Sequence, residues 1–184
     1  MIPVIDFKSK TVLEEIREAY TTVGFAVFTN CLSEADSQTM AYWFQQMKSF
    51  FELDLETKNK YKYQSENNLG YSVMGAENVD PTAPKDMKES FNYNDSRMPD
   101  ELWPTEIDFF KVTALNSVRI ADNLTLRILK KFDTILACGT TLVDAHQDPY
   151  NTTRVIHYPA YTGPLKDKQM RIGEHSDYGT ITLL

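Results

Sequence analysis

The sequence lacks the features that mark membrane, secreted or nucleic-acid-binding proteins. It has no apolar run near the ~20 residues that a membrane-spanning helix needs. Its first seven residues contain neither the basic segment nor the apolar core of a secretion signal. The chain has 19 basic and 26 acidic side chains, and its net charge of -7 repels polyanions. We therefore expect a cytoplasmic protein that binds neither nucleic acid nor membranes.

Cysteine is also scarce, since the chain has only Cys31 and Cys138, which lie far apart in the sequence. Two such thiols without a secretion signal are typical of a reducing compartment, so we expect both to be free. They do not form the clustered pattern of a cysteine metal site. Cysteine therefore indicates neither a disulfide framework nor a metal centre.

The remaining composition is that of a globular protein, with 42% hydrophobic and 24% charged residues. The first part of the chain mostly has the apolar spacing of helices, and the last third changes to the alternation of strands. This order predicts an α+β protein. We divide it into three regions: helices and strands with long ordered loops over 1–104, a long helix over 105–139, and the first strands of an incomplete β-structure over 140–184.

Residue patterns predict the individual elements within these regions. The predicted helices run from a capping box at Thr11–Glu14 to Gly24, from Ser33 to about Phe51, and from Thr105 to Gly139. The predicted strands cover residues 3–7, 24–29, 88–93, 153–158, 171–177 and 180–184.

The tripeptide His175-Ser-Asp177 is the sharpest local indication of chemistry. On a strand, residues i and i+2 point to the same face, with roughly 7 Å between their α-carbons. An imidazole nitrogen and a carboxylate oxygen on that face could converge on one metal ion. One more histidine would complete the two-His-one-carboxylate triad of ferrous iron, which leaves three positions open. Two of these would take a bidentate 2-oxo acid and the third would take dioxygen.

The two other histidines do not supply the missing ligand. His146-Gln-Asp148 repeats the His-x-Asp pattern but stands before Pro149 in an expected loop, where its side chains have no fixed common face. If Tyr158 faces the pocket, strand alternation directs His157 to the other side of the sheet. We therefore expect no metal at either histidine, and the triad is not completed by these residues.

Eight segments occur along the chain in an order that is similar to one known family. They are Ile2–Phe7, Gly24–Asn30, Phe50–Lys58, Gly70–Tyr71, Asp86–Phe91, Leu102–Pro104, Arg154–Pro159 and Glu174–Leu184. The family that they resemble includes isopenicillin N synthase and the plant 2-oxoglutarate/Fe(II) dioxygenases. The chain departs from the family pattern at Asp54, where proline is usual, and at Ile156, where plant members have asparagine.

The resemblance implies an N-terminal helical part followed by the first part of a double-stranded β-helix, or jelly roll. It makes His175 and Asp177 the first two ligands of Fe(II), with no catalytic residue beyond the metal ligands. It places Tyr158 in the pocket for cosubstrate and substrate; the other interpretation of Tyr158 is a core tyrosine. It implies 2-oxoglutarate and dioxygen as cosubstrates for the hydroxylation, desaturation or cyclisation of a small organic substrate.

Two alternative functions remain open at this point. One is an isopenicillin N synthase-like oxidase that uses no oxo acid, and the other is a truncated, non-catalytic chain that acts only by binding. In the family, the third ligand and an Arg-x-Ser that binds 2-oxoglutarate come several strands later, and neither occurs before Leu184. We therefore expect the 184-residue chain alone to be inactive, and its exposed C-terminal strand to favour self-association.

Overall fold

The computed structural model describes residues 1–78, 82–95, 97–147, 151–164 and 166–184. These residues form two units. The first comprises the described residues of Met1–Ala41 and Arg119–Tyr150, with Leu183. The second comprises those of Tyr42–Val118 and Asn151–Thr182, with Leu184.

Helices and strands are mixed along the chain, which confirms the α+β prediction. The helices are α1 (Val12–Thr22), α2 (Glu34–Glu52), α3 (Leu55–Asn59), α4 (Phe110–Leu136) and α5 (Thr141–Ala145), with a 3-10 turn at Asp100–Leu102. The strands are β1 (Val4–Asp6), β2 (Val27–Thr29), β3 (Gly70–Ser72), β4 (Glu89–Tyr93) and β5 (Thr153–His157). Within the described ranges, every helix is too short or too polar to span a bilayer.

The first unit packs α1 against a pair of parallel strands. Val4 of β1 lies opposite Val27 of β2, and the next residue, Ile5, points inward and is 1% exposed. Ile16 and Ala19 of α1 are buried in the same apolar cluster as Ile5. Their spacing puts them on one face of the helix, so the amphipathic pattern of the sequence accounts for this core.

The second unit has an aromatic core centred on Phe50, which is fully buried. Five other rings surround Phe50, with centroids 5.0–6.3 Å from its own: Phe51, Tyr61, Tyr71, Phe91 and Phe110. All five pairs are tilted or edge-to-face, the arrangements that aromatic quadrupoles favour. This core gives one face of the neighbouring sheet a rigid support.

That sheet has the order β3-β4-β5, and both pairings are antiparallel. In the central strand β4, Phe91 is buried in the aromatic core, whereas Ser90 and Asn92 point to the opposite face. Every residue of β4 is buried, so the polar face must find its partners inside the protein. Asn92 lies opposite Arg154 and Glu89 lies opposite His157, which assigns Arg154 to the polar face and His157 to the core face.

Three details of the helices differ from the sequence prediction. Helix α4 begins at Phe110 instead of Thr105 because Phe109 has a φ of +60°, which a right-handed helix cannot contain. It ends at Leu136, before Gly139, because Ala137 is also left-handed, with a φ of +53°. The expected capping box at Thr11 is absent, since its hydroxyl donates to Oε1 of Glu15.

The strands predicted at 171–177 and 180–184 are wrong, because neither segment is a strand in the structure. A strand requires a neighbour that pairs with its alternating N–H and C=O groups. The 171–177 segment instead makes single bonds, such as the one from the Gly173 N–H to the Asp86 side chain. An alternating sequence therefore did not suffice to specify a strand here.

Candidate metal centre

His175 and Asp177 lie together although their segment is not a strand. Nε2 of His175 is 3.3 Å from Oδ1 of Asp177, and the two side chains are 38% and 52% exposed. Nδ1 of His175 is 2.9 Å from the carbonyl oxygen of Gly173. A carbonyl oxygen can only accept, so Nδ1 is the protonated nitrogen of this ring.

Three contacts connect this segment to the sheet. The N–H of Gly173 donates to Oδ1 of Asp86 at 3.2 Å, and the N–H of Met87 donates to the carbonyl of Met170 at 3.1 Å. The guanidinium of Arg171 donates to the carbonyl of Tyr158 at 3.4 Å. The segment before His175 is therefore bound to two residues a few positions before β4 and to the residue that directly follows β5.

Tyr158 is half-buried among charged side chains. Burial raises the pKa of its phenol, and the nearby carboxylates of Asp86 and Glu77 raise it further, whereas Arg154 and Arg171 oppose the shift. The hydroxyl therefore stays protonated at neutral pH and is able to donate a hydrogen bond. The structure places Tyr158 next to the segment of His175, and its role in binding remains a prediction.

A partly buried ion cluster lies on the polar face of the sheet. Oε2 of Glu77 is 3.0 Å from Nζ of Lys88 and 2.9 Å from Nη1 of Arg154, and Ser90 donates to Oε1 at 3.0 Å. Burial alone would raise the pKa of Glu77, but its bonds to these three partners outweigh burial and lower it. Sequence reasoning missed this cluster, because contacts such as Glu77 to Arg154 join residues far apart in the chain.

A buried carboxylate, Glu89, lies on the core face. It accepts hydrogen bonds from Nζ of Lys58 at 2.9 Å, from the hydroxyl of Tyr71, and from Nδ1 of His157 at 2.7 Å. The His157 ring also packs against Phe51, with centroids 5.2 Å apart. His157 is thus engaged on the face of the sheet opposite to Arg154.

The described residues do not complete a three-ligand site. Across 1–78, 82–95, 97–147, 151–164 and 166–184, no three His, Cys, Asp or Glu side chains are grouped so that they could hold a metal ion. Nδ1 of His146 is 2.7 Å from the carbonyl of Leu142, and Asp148 lies outside the described residues. A surface cavity of about 480 Å³ at the start of α4 contains none of the predicted site residues in its lining.

Comparison with known proteins adds evidence independent of this geometry. The profile of a family described as non-haem dioxygenase in morphine synthesis, N-terminal, matches residues 2–107, which is more than half of the 184 residues. The matched region contains α1 to α3 and β1 to β4, and therefore two of the three strands of the sheet to which the candidate metal segment is bound.

Two curated fungal relatives align with most of the chain. The 2-oxoglutarate-dependent dioxygenase htyE of Aspergillus rugulosus is 27% identical over 92% of this chain and 56% of its own length. The proline hydroxylase buaE of Petromyces alliaceus is 29% identical over 96% of this chain and 59% of its own length. The chain therefore spans less than two thirds of the length of the curated relatives it matches.

Solved structures match the fold as well. A full-length Neurospora crassa protein, solved in complex with alpha-KG, is 28% identical, with a TM-score of 0.80 over 97% of this chain and 61% of that one. JOX2 in complex with 2OG, Fe and JA is 21% identical, with a TM-score of 0.70 over 86% of this chain and 48% of that one, and shares the fold. On the match of residues 2–107, the chain belongs to the non-haem dioxygenase family.

Proposed function

We propose that this chain is part of an Fe(II)- and 2-oxoglutarate-dependent oxygenase, in which His175 and Asp177 are two of the iron ligands. The observation that carries the proposal is the 3.3 Å distance between His175 Nε2 and Asp177 Oδ1. Two ligand atoms that each lie about 2 Å from one ion, at a right angle, are about 3 Å apart. The observed pair has nearly that separation.

The chemistry of the two donors also fits ferrous iron. Imidazole nitrogen and carboxylate oxygen are the donors of the facial triad of non-haem iron oxygenases. The hydrogen bond from Nδ1 to the Gly173 carbonyl leaves Nε2 as the donor atom, as is usual for histidine ligands whose second nitrogen is bonded to a carbonyl. The third ligand would come from outside the described residues.

Iron held at this site would supply the activation of dioxygen, coupled to oxidative decarboxylation of 2-oxoglutarate to succinate and carbon dioxide. The chain's own residues would orient the reactants and exclude water. Tyr158 would donate a hydrogen bond from its protonated hydroxyl to an oxygen of the oxo acid or of the substrate. We further propose that β5 belongs to the first part of a jelly roll.

The names of the similar proteins favour an oxo-acid cosubstrate. One curated relative is described as a 2-oxoglutarate-dependent dioxygenase and the other as a proline hydroxylase. The Neurospora crassa structure contains alpha-KG. Another structure of that Neurospora crassa protein, 26% identical with a TM-score of 0.70, also contains thymine. We infer a small organic substrate for this chain as well, with hydroxylation as the main candidate reaction and desaturation or cyclisation as variants.

Oxygen consumption and succinate release test this function. The 184-residue chain and a form extended beyond the codon for Leu184 would be loaded anaerobically with Fe(II), then exposed to oxygen with and without 2-oxoglutarate. The proposal expects the extended form to release succinate only when 2-oxoglutarate is present, and Asp177→Ala to abolish release. Oxygen uptake without the oxo acid would favour the oxidase alternative, and no uptake by either form would favour a binding protein.

A further inference from the structure

The side chain that holds the segment before His175 comes from the residue that stands three positions ahead of β4. Asp86 is 3% exposed, and its Oδ1 accepts the hydrogen bond from the N–H of Gly173 at 3.2 Å. The carbonyl oxygen of Gly173 accepts the bond from Nδ1 of His175 at 2.9 Å. A single residue, Gly173, therefore links the Asp86 carboxylate to the imidazole of the candidate iron ligand.

Asp86 is itself well anchored. Its N–H donates to the carbonyl of Glu77 at 3.2 Å, and its Oδ2 is 3.8 Å from Nζ of the buried Lys88. The next residue, Met87, donates its N–H to the carbonyl of Met170 at 3.1 Å. Two consecutive residues at the entrance to β4 thus bind the segment at two points.

This anchoring matters because the segment of His175 is not part of a strand. On a strand, a ladder of backbone hydrogen bonds would fix the direction of the ligand. No such ladder orients the His175 ring, because its segment is not a strand. The ring is 38% exposed, so close packing does not orient it either. The orientation depends instead on the Gly173 carbonyl, and the Gly173 N–H is held by Asp86.

We propose that Asp86 is a positioning residue for the metal centre. By holding Gly173, it fixes the carbonyl that keeps the ring proton of His175 on Nδ1 and directs Nε2 toward Asp177. The inference deepens the proposed function and rests on it, since it assigns Asp86 a role at the site where iron would bind. Loss of partners that orient metal-binding histidines lowers metal affinity roughly 10- to 100-fold in other proteins.

The first test uses the isotope-labelled chain without metal, so that it does not depend on iron binding. In the wild type, the Gly173 amide is expected to exchange with solvent more slowly than that of Ser176, which has no acceptor in the described part of the chain. The ¹⁵N shifts of the His175 ring should report the Nδ1-protonated tautomer. Equal exchange rates at Gly173 and Ser176 in the wild type would overturn the proposal, whether or not any variant folds.

Three variants sharpen this test. Asp86→Ala should accelerate exchange at Gly173 and mix the tautomers of His175. Asp86→Asn keeps an oxygen acceptor of the same size and should retain the wild-type pattern. Glu77→Gln removes a charge from the neighbouring ion cluster, where the Glu77 side chain bonds to Lys88, Ser90 and Arg154. It should therefore also keep the slow exchange at Gly173 and the single tautomer of His175, even if it lowers stability. Wild-type values in Asp86→Ala, or acceleration in Glu77→Gln equal to that in Asp86→Ala, would contradict the assignment.

The second test adds Mn(II) as a paramagnetic probe of the site. The midpoint for broadening of the His175 and Asp177 signals should rise about tenfold in Asp86→Ala and stay near the wild type in Asp86→Asn. An unchanged midpoint in Asp86→Ala would refute the positioning role. Absence of broadening at His175 in the wild type would instead refute the proposed iron site, while the metal-free measurements would still decide whether Asp86 orients the imidazole.

Discussion

At the scale of single residues, Glu89 shows how a buried charge is retained in the sheet. Its side chain is 8% exposed and has the Lys58 ammonium at 2.9 Å. Burial alone would raise the pKa of Glu89, but hydrogen bonds from Tyr71, His157 and Lys58 outweigh burial and lower it. Because the folded-state pKa is lowered, the stabilisation by this carboxylate is present above its ordinary pKa of 4.5 and is lost as the pH falls through the lower, folded-state value.

We predict that Glu89→Gln lowers the free energy of unfolding by about 3–5 kcal/mol at neutral pH, because it leaves the Lys58 ammonium buried without its counterion. The difference from the wild type should shrink as the pH falls through the lowered pKa of the wild-type carboxylate, where that group also becomes protonated. Urea unfolding at neutral pH and at a series of acidic pH values measures this. Asp100→Asn, which removes the exposed partner of Lys111, is the matched control and should change stability little. A loss in Glu89→Gln as small as the control's would show that the cluster contributes little.

The variant Tyr158→Phe tests whether the Tyr158 hydroxyl binds a reactant or only stabilises the fold. In the catalytically competent form, we expect the substitution to raise the KM for 2-oxoglutarate or substrate, with little change in the midpoint of thermal unfolding. The reason is that the hydroxyl stays protonated and would serve as a donor to a bound oxygen. Unchanged kinetics with a lower unfolding midpoint would assign Tyr158 to the core instead.

At the scale of elements, β3 depends on a glycine at its first position. Gly70 has a φ of +101°, and a Cβ there would lie 2.8 Å from the carbonyl oxygen of Tyr61 and 2.9 Å from that of Lys62. Gly139 also has a positive φ, +73°, but a Cβ there would meet no atom within 4 Å. A substitution at Gly139 therefore measures the cost of the left-handed backbone alone, without a steric clash.

We predict that Gly139→Ala lowers the free energy of unfolding by about 1–2 kcal/mol, the cost of a left-handed backbone for alanine. Gly70→Ala should cost clearly more, because the backbone of residues 61 and 62 must also move. Chemical denaturation of both variants gives the comparison. Equal losses would mean that β3 shifts freely to accept the methyl group.

The periodicity of apolar residues predicted the long helix α2, but it missed the short helix α3, which begins at a side-chain hydrogen bond. Helix α2 was expected from Ser33 to about Phe51 and occupies Glu34–Glu52, because its apolar face is long enough to be seen. Helix α3 was missed, although Asp54 caps it by accepting from the Thr57 N–H at 2.8 Å. In the sequence, the sign of this cap is Asp54 itself, which stands where the family usually has proline.

The candidate site was also predicted only in part. The closeness of His175 and Asp177 was expected from their spacing on a strand, yet the structure brings them together on a segment that is not a strand. The contribution of Asp86 was not visible, because it contacts Gly173 across 87 positions of sequence. The periodicity of apolar residues depends on neighbours within one helix or strand, so it cannot predict a hydrogen bond between residues this far apart in the sequence.

At the scale of the whole molecule, the 184-residue chain exposes apolar side chains near its C-terminus: Tyr178 is 99%, Leu183 39% and Leu184 106% exposed. We predict that the isolated chain self-associates as its concentration rises, because exposed apolar surface favours association. Sedimentation over a range of concentrations would show this. Leu184→Lys should increase the monomer fraction, whereas Val4→Lys, at a position that is 67% exposed in the other unit, should not. A monomer at every concentration would refute the prediction.

The central claim, that His175 and Asp177 bind ferrous iron, is tested most directly by anaerobic Fe(II) titration of the chain and of two histidine variants. His175→Ala should weaken binding at least about tenfold, because it removes the nitrogen donor that the described residues supply to the site. His146→Ala changes the other His-x-Asp sequence and should bind as the wild type does. Equal Fe(II) affinity in the wild type and in His175→Ala, or loss of binding in His146→Ala alone, would contradict the account.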